Sequence, residues 1–270
     1  MPVQTANGVK TWQRYDRVSV LKQWAGWLAT TVVVLICWQL ISGATRWEFV
    51  ADAPQQLVQF LSRAFPPRWS YMNQLWRPLW DTVNIATLGT IIGVAVAFPT
   101  AFLAARNTTP HPIIRPLALL VIVVSRSVNS LIWALLLVAL LGPGILAGVI
   151  AIGLRSIGFV GKLFYEAIEE TSIEPVEAIR ATGASGMQVL SYAILPQVLP
   201  SFAGVTVFRW DINIRESTVI GLVGAGGIGL NLDASINALQ WSRAGMIFIS
   251  IFVIVLLSEW ISARIRKAII

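Results

Sequence analysis

The sequence contains very few of the residues that most enzymes use for chemistry. Its 270 residues include one cysteine, Cys37, and one histidine, His111, so zinc coordination and Cys/His nucleophilic catalysis lack side chains. A single cysteine also leaves no disulfide within the chain. The G-x-x-x-x-G-K-[ST] pattern of a P-loop is absent from the sequence. We therefore expect no catalytic residues, no metal site and no cofactor in this chain.

Charge is scarce as well. Only 12% of the residues are charged, whereas a soluble domain carries about 25%. Hydrophobic residues make up 56% of the chain, and the mean hydropathy is +0.71. These values predict an integral membrane protein. The net charge of +7 then fits basic cytoplasmic ends and an anionic lipid surface better than nucleic acid.

Long apolar runs predict an all-α, polytopic membrane protein with about six transmembrane helices. The predicted spans are residues 25–41, 83–104, 113–141, 145–164, a fifth from 196 that continues through the Gly-rich 219–230, and 244–261. The predicted organisation is an N-terminal segment (1–24), a first transmembrane helix (25–45), an outer connection (46–80), a core (81–264) and a tail (265–270). The outer connection should contain an amphipathic helix, because helical spacing relates Leu57, Phe60, Leu61 and Ala64.

Both ends of the chain are basic, and six crossings place them on one side of the membrane. The positive-inside rule makes that side cytoplasmic. The arginines of the outer connection, at positions 46, 63, 68 and 77, would lie outside, so this orientation rests on the termini. The triplet Ser42-Gly43-Ala44 after the first apolar run would also suit a signal-peptide cleavage site. We prefer a retained span, because the orientation then fits best.

A polar segment, residues 171–196, interrupts the apolar runs. Thr171 and Glu174 have capping-box spacing and predict the start of a short helix, which Gly183 should end in a left-handed conformation. Ser185 and Gln188 repeat the capping box and predict a second helix.

That second helix should stop near Leu195-Pro196. On physical grounds, the polar segment is either a loop packed on its own spans or an exposed docking element.

The polar segment resembles the EAA loop of ATP-binding-cassette importer permeases. Glu177-Ala178-Ile179, Gly183 and Leu195-Pro196 stand at the separations of that pattern. Two positions depart from it, since Ile179 replaces the second alanine and Ala193 holds the isoleucine position. The resemblance implies that the segment couples the membrane helices to an ATPase subunit. The residues that it assigns to coupling are Glu177, Ala178, Arg180, Gly183 and Ala184.

Further stretches narrow the resemblance to phosphonate-type permeases, over roughly residues 65–267. They are residues 125–129 (SRSVN), 179–184 (IRATGA), 195–200 (LPQVLP), 213–215 (NIR) and 218–229 (TVIGLVGAGGIG). One position departs, because Glu216 stands where that family usually has a small residue.

This resemblance implies a type I permease fold and import of phosphonate, phosphite or a related phosphorus oxyanion by alternating access. The implied partners are a second copy of the chain, two ATPase subunits that bind ATP and magnesium, a substrate-binding protein outside, and the lipid bilayer. It implies a bacterial inner-membrane location and no nucleic acid.

Several charged and polar residues fall inside predicted spans, where charge is costly and must face protein or a water-filled cavity. Arg126 and Asn129 interrupt the third span, and no acid is near them in the sequence. An arginine without an acidic partner suits a passing oxyanion, to which it offers two parallel donors. Arg155 lies at a similar depth in the fourth span. We assign Arg126 and Asn129 to the substrate path.

The fifth span carries a second polar group. Arg209, Asn213 and Glu216 share one helical face, and Asp211 and Arg215 are spaced as an i, i+4 ion pair. We place Arg209, Asn213, Arg215 and Glu216 in the substrate path as well. A structural ion pair is the favoured interpretation for Asp211 with Arg215.

The Gly-rich run contains Gly221, Gly224, Gly226, Gly227 and Gly229. It matches the G-x-G-x-x-G dinucleotide pattern, but no βαβ unit surrounds it, so we reject nucleotide binding. Close helix packing and an outer gate remain equal alternatives.

Other classes of protein compete with a phosphorus-oxyanion importer. An importer for methionine or an organic sulfonate would keep the polar segment of residues 171–196, called the coupling segment below, without needing Arg126 and Asn129. A secondary transporter should show an internal repeat, which the sequence lacks. An intramembrane enzyme would need a nucleophile or acid–base set within the spans, and none is present.

Overall fold

The computed structural model describes residues 3–6, 9–12 and 17–269. Apart from an N-terminal antiparallel hairpin of β1 (Val3–Ala6) and β2 (Val9–Trp12), its regular structure is helical, as predicted. The helices are α1 (Arg17–Ala44), α2 (Trp47–Ala64), α3 (Met72–Ala104), α4 (Ile114–Ser127), α5 (Ser130–Leu141), α6 (Ile145–Glu169), α7 (Ile173–Ala181), α8 (Gly186–Val189), α9 (Leu195–Ile220), α10 (Ile228–Asn237) and α11 (Trp241–Ile269). The chain divides into two compact units, residues up to 59 and residues from 60 onward.

Five helices of the described chain are long and apolar enough to cross a membrane, and six if α4 and α5 count as one broken span. The predicted number of spans is therefore confirmed. The third span is not one straight helix, however, because α4 and α5 meet at an angle of 87°. Val128 and Asn129 are extended there, and the Asn129 side chain caps α5 by accepting a hydrogen bond from Leu131 N at 3.0 Å.

Several helices extend beyond the predicted spans. Helix α1 begins at Arg17, before residue 25, and α11 continues past residue 264. Helix α3 begins at Met72, inside the predicted outer connection, and holds Pro78 within it. Polar residues extend these helices beyond their apolar runs, so hydropathy alone does not mark their ends. The amphipathic helix is confirmed as α2, which ends before Pro66 and Pro67.

Helix α6 lies at the centre of the second unit and packs against α3, α4, α5 and α9. Glycines allow the helices to approach closely. A Cβ on Gly89 of α3 would lie 2.6 Å from Ile152 Cγ2, and one on Gly158 of α6 would lie 2.5 Å from the Ile122 carbonyl oxygen of α4. The polar residues described next lie along these contacts.

Candidate coupling segment and anion path

The polar segment forms α7 and α8, two short helices separated by Gly183. Gly183 has φ +80°, and its amide donates to the Arg180 carbonyl at 3.0 Å, which confirms the predicted helix end. The second capping box is also confirmed, with Ser185 N donating to Gln188 Oε1 at 2.8 Å.

The first capping box was wrong. The residue that precedes α7 is Ser172, and no side chain caps the helix there. The Thr171 hydroxyl instead donates to the Ile168 carbonyl at 2.8 Å, so it serves the end of α6.

The two short helices pack against the rest of the protein on one side and are exposed on the other. Val176 and Val189 are buried in a hydrophobic cluster with Phe164 and Val198. Four of the coupling residues, Glu177, Ala178, Arg180 and Gly183, are exposed, whereas Ala184 is half-buried and packs against this cluster. Two large apolar side chains, Ile173 and Met187, are also exposed in this chain. This arrangement favours a docking element over a loop packed on its own spans.

Helix α8 does not stop at Leu195-Pro196, contrary to the sequence prediction. A π-helical turn, Leu190–Ile194, joins it directly to α9. Pro196 has no amide hydrogen, which removes one helical hydrogen bond, and the wider turn accommodates that loss. The Gln197 side chain stabilises the junction, because it accepts from Ser172 N at 3.0 Å and donates to the Ala193 carbonyl at 2.8 Å. Helical structure thus continues from the coupling segment into the polar part of α9.

A contact that the sequence did not predict fixes the end of α6 before the coupling segment. Glu169 lies 3.8 Å from the guanidinium groups of both Arg106 and Arg115. Asn107 Nδ2 donates to the Ile168 carbonyl at 2.6 Å. The basic loop after α3 is therefore tied to the start of the coupling segment.

Arg209, Asn213 and Glu216 share a face of α9, as their spacing predicted. The Arg209 guanidinium, 2% exposed, donates from Nη1 and Nη2 to the two carboxylate oxygens of Glu216, both at 3.2 Å. Its Nε donates to Ser156 Oγ on α6 at 3.0 Å. Asn213 Nδ2 donates to the same Ser156 oxygen at 3.0 Å and to Thr90 Oγ1 on α3 at 2.7 Å. The group is a buried polar network that joins three helices.

Asp211 and Arg215 form the predicted ion pair, with 2.5 Å between Arg215 Nη2 and Asp211 Oδ2. The other carboxylate oxygen of Asp211 accepts from Ser258 Oγ on α11 at 2.8 Å. Asp211 therefore holds α9 against α11, which supports the structural interpretation of this pair.

Arg126 and Arg155 lie together at the break between α4 and α5. Arg155 Nη1 donates to the Arg126 carbonyl and, at 3.3 Å, to the Val128 carbonyl. The Ser125 hydroxyl donates to the Leu154 carbonyl of α6 and accepts from Gly158 N at 2.7 Å. These contacts hold the exposed backbone of the break against α6.

The Arg126 side chain is exposed, and its guanidinium has no hydrogen bond or ion pair to any described residue. The place of Asn129 in the substrate path stays a prediction. Its side-chain oxygen caps α5, so the side-chain NH₂ group is the part that remains available to a solute. Arg155 directly precedes Ser156, whose hydroxyl accepts from Arg209 Nε at 3.0 Å. We call Arg126, Arg155 and Arg209 the arginine cluster.

The Gly-rich run does not continue the fifth span, which corrects the sequence prediction. Helix α9 ends at Ile220, and a 3₁₀ turn and a buried loop lead to α10. The φ angles of Gly224, Gly226 and Gly227 are positive, at 88°, 84° and 74°. Residues other than glycine rarely adopt such angles. A Cβ on Gly221 would lie 2.6 Å from the Gly226 carbonyl oxygen, and one on Gly229 would lie 2.1 Å from the Thr218 carbonyl oxygen. These contacts account for the glycines by packing, and gating stays a prediction.

Comparison with known proteins supplies the family. The model of the family described as binding-protein-dependent transport system inner membrane component matches residues 89–270. A phosphite transport system permease protein of Stutzerimonas stutzeri is 40% identical over 260 residues, 96% of this chain and 91% of the relative. A phosphate-import permease protein of Mycolicibacterium smegmatis is 42% identical over 216 residues, 80% of this chain and 41% of the relative.

A solved structure of a methionine ABC transporter, in an inward-facing conformation, has a chain of the same fold. It aligns with a TM-score of 0.65 at 20% identity, covering 75% of this chain and 99% of that chain. This likeness confirms the predicted importer permease fold, with five to six spans.

Proposed function

The chain belongs to the family of binding-protein-dependent transport system inner membrane components, and we propose that it imports phosphonate, phosphite or a related phosphorus oxyanion. It is a permease subunit rather than an enzyme. The observation that carries the substrate class is the 40% identity, over 96% of the chain, to a phosphite transport system permease protein. A second relative is named for the import of phosphate, and phosphate is also a tetrahedral phosphorus oxyanion.

The arginine cluster supports an anionic substrate. Three arginines lie among the spanning helices at this place, and only one acid, Glu216, pairs with any of them in the described residues. Arginine binds oxyanions through two parallel hydrogen bonds, and the Arg126 guanidinium is available for such contacts. Because binding on a transport path must be weak enough for release, one exposed arginine suits the task better than a closed cage.

The exposed coupling segment supports an ATPase partner. In this proposal two ATPase subunits, which bind ATP and magnesium, dock on Glu177, Ala178, Arg180, Gly183 and Ala184 of two copies of the chain. A substrate-binding protein delivers the anion on the opposite side. Closure of the ATPase pair moves α7 and α8, and the continuous helix through residues 190–194 carries that movement to Arg209 and Glu216 on α9. Both termini lie in the cytoplasm.

Uptake by cells tests this proposal. Cells that express the chain with its ATPase subunit and binding protein should import labelled phosphite, and excess unlabelled phosphonate should reduce the uptake. Excess methionine or an organic sulfonate should leave it unchanged. Competition by methionine or the sulfonate alone would assign the chain to another substrate class. Uptake that persists after deletion of the ATPase gene would contradict ATP-driven import.

A further inference from the structure

Two acidic side chains of α9 are held very differently. The Asp211 carboxylate contacts Arg215 at 2.5 Å and Ser258 at 2.8 Å, and its side chain is 5% exposed. The Glu216 carboxylate is 23% exposed and contacts only Arg209 among the described residues, at 3.2 Å to each oxygen. Charge-assisted N–H···O hydrogen bonds are ordinarily about 2.7–2.9 Å. Glu216 is therefore the more loosely held of the two acids.

Arg209 is also held by contacts that do not involve Glu216. Its Nε donates to Ser156 Oγ at 3.0 Å, and its guanidinium lies 5.0 Å from the centre of the Phe159 ring. Both contacts come from α6, a different helix from the one that carries the carboxylate. If Glu216 moved away, Nη1 and Nη2 would present a preformed pair of donors to another anion.

The charges around Arg209 favour exchange of one anion for another. Arg209 is 2% exposed, and a buried arginine without a counter-ion is strongly unfavourable. A second arginine, Arg155, precedes the Ser156 that binds Arg209 Nε. A carboxylate and a phosphorus oxyanion both offer two oxygens to a guanidinium fork. The Glu216 carboxylate can therefore stand in for a transported oxyanion while no substrate is bound.

We propose that Glu216 is a tethered competitor of the substrate: its carboxylate occupies Arg209 until the oxyanion displaces it. This inference rests on the proposed function and adds a role for one residue in it. The tether keeps Arg209 paired throughout the transport cycle. It also weakens binding of the oxyanion, because the Glu216 carboxylate competes with it for the Arg209 guanidinium. This competition helps the oxyanion to leave.

Binding of phosphite to the purified permease–ATPase complex, without the binding protein, tests the competition directly. The measurement is the thermal unfolding temperature as a function of phosphite concentration. Glu216→Gln keeps the size of the side chain and removes its charge. The half-saturating phosphite concentration should fall about tenfold relative to wild type. The matched control is Asp211→Asn, which removes the charge of the firmly held acid and should leave that concentration unchanged.

Two further variants keep the test decisive if Glu216→Gln unfolds. Glu216→Asp retains the charge but shortens the side chain, so its half-saturating concentration should fall between those of wild type and Glu216→Gln. Adding Arg209→Gln to Glu216→Gln should abolish the tighter binding. An unchanged half-saturating concentration in both Glu216 variants, or an equal change in Asp211→Asn, would overturn the inference. Failure of the proposed function is distinguishable, since wild-type cells would then import no phosphorus oxyanion.

Discussion

Ser156 joins two of the polar residues of α9. Its hydroxyl accepts from Arg209 Nε and Asn213 Nδ2, both at 3.0 Å, and it is fully buried. We expect Ser156→Ala to destabilise the protein by about 1–3 kcal/mol, because two buried donors lose their acceptor. Thermal unfolding of the purified protein measures this.

Ser217→Ala is the matched control for Ser156→Ala. Ser217 is equally buried, but its hydroxyl donates only to the Ile214 carbonyl of its own helix, at 2.7 Å. Its replacement leaves no buried donor without an acceptor and should lower the unfolding temperature much less. Equal losses in the two variants would contradict the role given to Ser156.

Helical spacing was enough to predict which residues of α9 share a face and that Asp211 pairs with Arg215. It could not predict Ser156 or Thr90, because a single hydroxyl residue in an apolar helix gives no periodic signal. Their contacts cross between helices that lie far apart in the sequence. The sequence likewise does not identify the partner of Glu216, both of whose carboxylate oxygens accept hydrogen bonds from Arg209.

At the scale of the helices, the left-handed conformation of Gly183 sets the angle between α7 and α8. Its φ of +80° would strain an alanine through the backbone alone, although no atom lies within 4 Å of the place that the alanine Cβ would take. Gly183→Ala should reduce co-purification of the ATPase subunit and Gly183→Pro should abolish it, while both proteins still insert in the membrane. The left-handed conformation costs a non-glycine residue about 1–2 kcal/mol.

Gly186→Ala controls for the size of the added methyl group. Gly186 also has open space around it, but its φ is not positive, so alanine fits there without strain. Normal ATPase co-purification with Gly183→Pro would remove the basis for assigning this segment to docking.

The Gly-rich loop between α9 and α10 gives a second test of backbone packing. Gly221→Ala would place a methyl carbon 2.6 Å from the Gly226 carbonyl oxygen, so the loop must shift. We expect a loss of about 1–3 kcal/mol, as for other overpacked sites, measured by thermal unfolding. Gly204→Ala is the control, since nothing lies within 4 Å of that position. Equal stability of the two variants would argue against tight packing in the loop.

Hydropathy predicted the number of spans, but it could not predict how they begin, bend or continue. The break at residues 128–129 depends on Asn129 capping α5 and on Arg155 binding the carbonyls on the other side of the bend. The continuity through Pro196 depends on a π-helical turn, which has no sequence signature comparable to a capping box.

Considered as a whole, the molecule should place the coupling segment and the α10–α11 connection on opposite sides of the membrane. Helix α9 separates them, and its 26 residues span about 39 Å at about 1.5 Å per residue. Cysteines introduced by Glu170→Cys and Gln240→Cys, both exposed positions, report on the two sides once Cys37 is replaced by alanine. An impermeant maleimide should label position 240, and not position 170, in intact cells.

Inside-out vesicles are the control for this labelling and should reverse the pattern. Labelling of position 170 in intact cells would contradict the orientation inferred from the basic termini.

ATP-driven movement of a phosphorus oxyanion past Arg126 is the central claim, and phosphite uptake by proteoliposomes tests it most directly. The vesicles contain the permease, its ATPase subunit and the binding protein, and ATP hydrolysis is measured in the same preparation. Wild type and Arg63→Ala, which removes an exposed arginine of α2, should take up phosphite only with ATP. Arg126→Ala should lose about tenfold or more of the uptake while basal hydrolysis persists. Equal uptake by Arg126→Ala and Arg63→Ala, or uptake without ATP, would contradict the account.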